Sequence, residues 1–345
     1  MRKIILSALF LSLAFGSDVR HFFDNVGYCS KPYQIEAIVK ASTSREAPLL
    51  KKERTRGYIA VISPHDDHMF AGRVYVHAIA KIASARTVVI FSVTHGNVRR
   101  AIGDPGDVLI FDDYSRWQAP YVPVPVDVSL RTYLENHLDR EDYMVSRKAH
   151  SLEHAAEAML PFLQFYNRKV KILAIMVTRM NWWRLRALSA KLASVLSSYI
   201  RENHLKLGRD IAFIISTDAT HYGPDFNYEP FGLDEKAHEI ATSQDKELGK
   251  KYLSGTITEN KVRIFADRLW GEKIPWCGVY SVPFGVMTVL NLAKLQGKTL
   301  YGVPLRYGDS YSLGVLPVFK KGIGITAPFS LKHWVGYWAI GYRLN

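Results

Sequence analysis

The chain has 345 residues, 48% hydrophobic and 22% charged, which is enough apolar material for a substantial core and excludes a disordered protein. Its formal net charge is +13. The basic residues are spread along segments (Arg184, Arg186 and Lys191; Lys246, Lys250 and Lys251) rather than gathered into an aromatic-interleaved stripe, and no nucleic-acid motif occurs. The charge therefore reads as a solvated basic surface, with a small molecule and not nucleic acid as the expected partner.

The first residues, MRKIILSALFLSLAFGSDV, place Arg2 and Lys3 before the apolar stretch from Ile4 to Phe15. Ala14 and Gly16 then supply the small residues of a cleavage site. Residues 1–16 are expected to be a cleaved signal peptide, which makes the protein exported, periplasmic or secreted. The rest of the chain carries no transmembrane-length apolar run, so no stable membrane span is expected after cleavage. Residues 17–56, which end in the charge run KKERTR, read as an N-terminal segment leading into a domain over 57–345.

That domain reads as a single α/β unit with a mostly parallel central sheet flanked by helices. Apolar strands are expected at 57–63, 87–93, 171–177 and 211–217, with helices near 71–83, 183–203, 233–253, 259–268 and 283–296. DVLIF (107–111) reads as a short strand, 119–128 as a Pro-punctuated loop or edge strand, and 299–343 as short strands with Gly and Pro turns.

Three of the strands run straight into chemistry. GYIAVISPH ends at His65, RTVVIFSVTH at His95, and IAFIISTDATH at Asp218 and His221. In α/β sheets ligands bind beyond the carboxyl ends of the strands, so the three ends are expected to meet in one crevice. Neutral imidazoles on rigid strand ends suit metal ligation. Asp218 and His221 suit acid–base work beside the metal, with Asp218 orienting the His221 ring.

These residues fall within a longer series of motifs. Pro64-His65 with Gly72, Ser92-Val93-Thr94-His95, Glu153-His154-Ala155-Ala156-Glu157 leading to Leu160-Pro161-Phe162, the run from Ser216 to Gly223, and Cys277-Gly278 follow one another in the order of the Memo family's motifs. The chain resembles that family, which includes the bacterial and archaeal AmmeMemoRadiSam system protein B, over most of 57–343. The family's fold is similar to class III extradiol, protocatechuate 4,5-dioxygenase-like, non-haem iron enzymes. The resemblance implies His65, His95 and Cys277 as metal ligands, and Asp218 and His221 as catalytic residues lining the same pocket with His154 nearby. Asp66, Asp67, His68 and Glu157 are expected around it. Two imidazoles and one anionic ligand form the facial pattern of Fe(II), and the soft thiolate also admits Cu or Zn.

The sequence departs from the family pattern at several of these motifs. Asp66-Asp67-His68 stand where the family has Ala-Gly-Tyr. Gly96 replaces a second histidine after His95, and Met159 replaces one before the Leu-Pro pair. Val279-Tyr280-Ser281-Val282-Pro283 replaces an Arg-His-Pro-type run.

Three functions are compatible with these residues. The first is an exported oxidoreductase of the extradiol-dioxygenase type; the second is a protein that holds a metal or small ligand without turnover. The third is a zinc-dependent, deacetylase-like hydrolase, in which Asp66 or Asp67 would serve the metal's water. Cys277 also competes with itself: in an exported chain it can ligate a metal or form a bridge with Cys29.

Overall fold

The computed structural model describes residues 18–345, so the expected signal peptide lies outside the described residues. The sheet is built from β1 (Tyr58–Ser63), β2 (Thr87–Ser92), β3 (Leu109–Phe111), β4 (Tyr143–Val145), β5 (Lys171–Val177), β6 (Ile211–Ser216), β7 (Gly255–Thr256), β8 (Leu300–Asp309) and β9 (Trp334–Leu344). Across the sheet they lie in the order β7-β8-β9-β1-β6-β2-β5-β3-β4. The four central strands β1, β6, β2 and β5 are mutually parallel. Antiparallel partners extend them on both sides, with β9 against β1 and β3 against β5.

The parallel centre follows from composition. β1, β2 and β6 are buried along their whole length, and only strands covered on both faces can be this uniformly apolar. One covering layer includes α1 (Pro32–Leu50) and α2 (His68–Ala78). Ile35, Ile38 and Val39 of α1 belong to the main core, so the segment before residue 57 is part of the same folded unit. The other layer pairs α3 (Trp182–Glu202) with α6 (Ser281–Leu295). Between them in sequence come α4 (Glu235–Tyr252) and α5 (Glu259–Gly271). α6 lies close on the sheet at Gly285, where a Cβ would come within 2.7 Å of the Ile215 side chain.

The C-terminal region differs from the expected short strands. β8 and β9 are long and pair with each other over most of their length, with one irregularity at Pro304/Arg306. Among the described residues, no helix is long and apolar enough to cross a membrane.

Register fixes the site. Ser63 is level with Ser216 across β1 and β6, and Phe91 is level with Ile215 across β2 and β6. The three strand ends therefore emerge side by side, with the Asp218–His221 loop between His65 and His95.

Candidate metal centre

His65, two residues beyond β1, is almost wholly buried. Its ring is set by Ser216 at the end of β6. The Ser216 hydroxyl donates to the Ala155 carbonyl at 3.0 Å, so it meets His65 Nδ1 as an acceptor at 2.8 Å. The proton of His65 thus sits on Nδ1, and Nε2 keeps a free lone pair. That Nε2 is buried and has no hydrogen-bond partner. Burial, with His95 beside it, holds the His65 pKa well below its ordinary value, so the ring is neutral at neutral pH.

His95 is oriented in the same way by a carboxylate. Its Nδ1 donates to Glu153 Oε1 at 2.7 Å and its backbone N–H to Glu153 Oε2 at 2.9 Å. Burial alone would raise the Glu153 carboxyl, but the His95 ring outweighs it and brings the group down to about 2. Burial alone would likewise lower His95; Glu153 and the Cys277 thiol reverse this and lift it to about 10. To hold a metal, His95 and the Cys277 thiol, which burial has pushed up, would have to give up their protons.

Cys277 reaches the strand ends from the segment before α6, which is fastened to the end of β6. Cys277 N–H donates to the Asp218 carbonyl at 3.2 Å, Gly278 N–H to Thr217 Oγ1 at 2.9 Å, and Ser281 Oγ to the Ser216 carbonyl at 3.0 Å. A Cβ at position 278 would lie 2.4 Å from Thr217 Oγ1, so glycine is what lets the two segments meet. The outcome is that one ligand atom each from His65, His95 and Cys277 lie within 4.8 Å of one another. Both cysteines are free thiols. Cys29 is buried in the core, its N–H bonded to His68 Nδ1, and it does not bridge to Cys277.

The donor set fits a metal ion. Two imidazoles have their Nδ1 protons tied to Ser216 and Glu153, and both leave Nε2 for coordination beside a thiol. Outer partners of this kind usually set metal affinity by about 10–100-fold. Ser216→Ala and Glu153→Gln are therefore each expected to weaken metal binding by about that factor in a titration against a chelating dye. Affinity unchanged in both variants would contradict the assigned tautomers.

Asp218 and His221 border the same cluster, and together with Cys277 they form a second group of atoms within 4.8 Å. Asp218 Oδ1 accepts the His65 N–H at 2.9 Å and Oδ2 lies 3.3 Å from His65 Nε2. Burial, then Asp66, pushes its carboxyl up to about 8. Asp218 does not orient His221: that ring donates from Nδ1 to the Ala219 carbonyl at 3.1 Å, which turns Nε2 toward Cys277 Sγ at 3.6 Å. A backbone carbonyl two residues back does the work expected of the carboxylate. His154 stacks on His95 with ring centroids 4.5 Å apart, and burial brings its pKa down to about 4.

Of the remaining expected pocket residues, Asp66 and Asp67 border His221, whereas His68 and Glu157 are committed to the core and the N-terminal segment. Asp66 stays next to the site: it adds to burial in raising the Asp218 carboxyl, accepts from the Tyr337 hydroxyl, and lines with Asp67 and His221 a cavity of about 220 Å³. Asp67 is held by the Thr326 N–H at 2.6 Å and by its hydroxyl at 3.0 Å. Both nitrogens of His68 are committed, Nδ1 accepting from Cys29 and Nε2 donating to the Ala158 carbonyl at 3.0 Å. Glu157 forms a buried ion pair with Arg20 and accepts from Phe23 and Asp24, so it ties the N-terminal segment down. Ser216 and Glu153 are the site residues that sequence reasoning did not single out, although both lie inside its motifs.

Residues 26–310 match the family model described as Memo-like protein. Among curated relatives, the chain is 28% identical over 259 residues to a MEMO1 family protein of Methanosarcina mazei, covering 74% of this chain and 80% of that one. It is 26% identical over 253 residues to one of Methanococcoides burtonii, covering 73% and 80%. The match to a Methanosarcina barkeri relative is 28% over 172 residues and spans 57% of that protein's length and half of this one.

Proposed function

This chain belongs to the Memo-like protein family, and we propose that it is a metal-dependent oxidoreductase with Fe(II) held by His65 Nε2, His95 Nε2 and Cys277 Sγ. The observation that carries this reading is the buried, unpartnered Nε2 of His65 among convergent ligand atoms. Its nearest polar neighbour is Asp218 Oδ2 at 3.3 Å, not counted as a hydrogen bond, and a buried lone pair so poorly served is costly unless something takes it. Held by these three residues, iron would supply the site at which a substrate and dioxygen could react.

The protein's own groups then do the remaining work. His221, with Nδ1 fixed on Ala219, turns Nε2 toward Cys277 Sγ at 3.6 Å; with that sulfur engaged by a metal, Nε2 would take a proton from a substrate hydroxyl next to the cluster. Asp218 holds the His65 backbone and, with its carboxyl pushed up, keeps a proton within reach of the same space. His154, neutral and stacked on His95, packs against that ligand ring. In the hydrolase reading Asp66 or Asp67 would serve the metal's water; the ligand cluster instead has His221 and Asp218 beside Cys277, which favours the oxidoreductase reading.

Oxygen uptake tests the proposal. Protein loaded with Fe(II) is expected to consume oxygen with members of a panel of phenols, and His221→Ala is expected to keep its iron while losing uptake. Full iron occupancy with no oxygen consumed across the panel would make it a binding protein instead.

A further inference from the structure

Residues 18–28, which precede α1, reach both imidazole ligands. Val19 and Arg20 form a short strand paired in parallel with Arg116 and Trp117. This sets the wholly buried Arg20 over the Trp117 ring at 4.4 Å. Every arm of its guanidinium is committed to residues 150–157. Nε donates to the His150 carbonyl at 2.7 Å, Nη2 to the Glu153 carbonyl at 2.6 Å, and Nη1 to the Glu157 carboxylate. The Glu157 carboxylate also accepts the N–H groups of Phe23 at 2.9 Å and Asp24 at 3.1 Å, so the clasp closes from both sides. The short helix Arg147–Ser151 ends just before this turn, and helix ends leave their last carbonyls without partners in the helix. The planar fork of an arginine takes one of these, at His150, together with the Glu153 carbonyl and a carboxylate.

Glu153 is the residue fixed in this way. Arg20 holds its carbonyl and the Ala155 N–H its carboxylate, at 3.0 Å, while the same carboxylate holds His95 at Nδ1 and at the backbone. Phe23 lies parallel to the His154 ring, with centroids 6.4 Å apart, and that ring stacks on His95. Farther along the segment, the Tyr28 hydroxyl donates to the His65 carbonyl. A buried ion pair contributes little net stability over apolar side chains of similar volume. Stability alone therefore does not account for a wholly buried guanidinium here; what its fork holds in place does.

We propose that Arg20 is a positioning residue for the metal centre: acting through Glu153 it fixes the His95 ring, while Tyr28 of the same segment fixes the backbone at His65. The inference rests on the metal-centre reading for what the two rings hold, and not for the positioning itself. Arg20→Lys separates geometry from charge, because a lysine keeps the cation beside Glu157 but gives up the planar fork to the two carbonyls.

The test compares full-length wild type, Arg20→Lys, Glu153→Gln and the R20K/E153Q double variant, with Asp210→Asn as the control. Asp210 is a buried carboxylate paired with Arg86 and Arg209 just before β6, at the opposite end of that strand from the ligands. Co(II) affinity is expected to fall about 10-fold in Arg20→Lys, the lower end of the range for outer partners. In the Glu153→Gln background the same substitution is expected to add little, because both act through one carboxylate. In metal-free protein carrying isotope-labelled histidine, the His95 Nδ1 proton is expected to exchange with solvent about 10-fold faster in Arg20→Lys, as the turn opens locally. Asp210→Asn is expected to leave both readouts at wild-type values whatever it costs in melting temperature. Unchanged affinity and exchange in Arg20→Lys, full additivity with Glu153→Gln, or equal losses in Asp210→Asn would overturn the positioning role. Tyr28→Phe removes one hydroxyl and keeps the packed ring, so it carries the test if Arg20→Lys does not fold; a similar loss of Co(II) affinity is expected, and wild-type affinity would overturn the proposal. Wild type that takes up no Co(II), with faster exchange in Arg20→Lys, keeps the positioning role and removes the metal reading.

Discussion

Asp245→Ala is expected to destabilise the protein by about 3 kcal/mol or more and to loosen the metal site with it. Asp245 is completely buried at the centre of the loops that carry His221 and Cys277. Its Oδ1 accepts from Thr220 Oγ1 at 2.6 Å and Trp276 Nε1 at 2.8 Å; its Oδ2 accepts from the Tyr307 hydroxyl at 3.0 Å and Thr220 N–H at 3.3 Å. Thr220 and Trp276 form a bridge between the two loops and immediately precede His221 and Cys277. Truncation strands three buried side-chain donors at about 1–3 kcal/mol each, partly offset by removing a carboxylate that burial disfavours.

The pH dependence separates those two contributions. None of the four donors is a cation, and burial raises the Asp245 pKa from 3.8 to about 6. A carboxyl whose folded-state pKa is raised binds its proton more tightly folded than unfolded. Stability from this group is therefore full below about pH 4 and is lost as pH rises through about 6. The displacement corresponds to about 3 kcal/mol. Asp245→Asn keeps the acceptor for Thr220 and Trp276 but cannot ionise. Chemical denaturation of wild type and the Asn variant is expected to show the wild-type advantage shrinking between pH 4 and 7. A constant difference across that range would contradict the burial argument.

Much of the site was legible in the sequence because β1, β2 and β6 are apolar runs whose ends carry His65, His95 and the Asp218–His221 loop. Parallel pairing in level register does the rest. Cys277 was legible only through the resemblance, since nothing local in its segment says that Gly278 packs on Thr217. The Ser216 and Glu153 partnerships span 151 and 58 residues, and no local pattern encodes such pairs.

Asp66, Asp67 and His68 were expected together because they are adjacent. Asp66 and Asp67 precede α2 and share a cavity with His221, whereas His68 opens the helix and turns into the core against Cys29 and Ala158. The long strands β8 and β9 were hidden by their glycines. Gly336 gives space to Asp245 Oδ2, Gly341 to the Tyr58 ring and Gly308 to Leu313. Each glycine weakens the strand signal while admitting a bulky neighbour.

Removing a ligand is expected to have the largest effect on the metal. Loss of an outer partner costs about 10–100-fold in affinity, so deleting one of three coordinating atoms should exceed about 100-fold. His65→Ala removes the one histidine among the described residues whose Nε2 is buried without a hydrogen-bond partner. Cys277→Ala removes the sulfur within 4.8 Å of both imidazole ligands. Neither side chain fills the main apolar core, so both variants are expected to stay folded.

Anaerobic purification followed by elemental analysis and Fe(II) titration of wild type, His65→Ala and Cys277→Ala tests the centre most directly. The structure predicts one tightly held metal ion per wild-type chain and its loss from both variants. Negligible metal in the wild type, or equal metal in all three proteins, would contradict the proposed site.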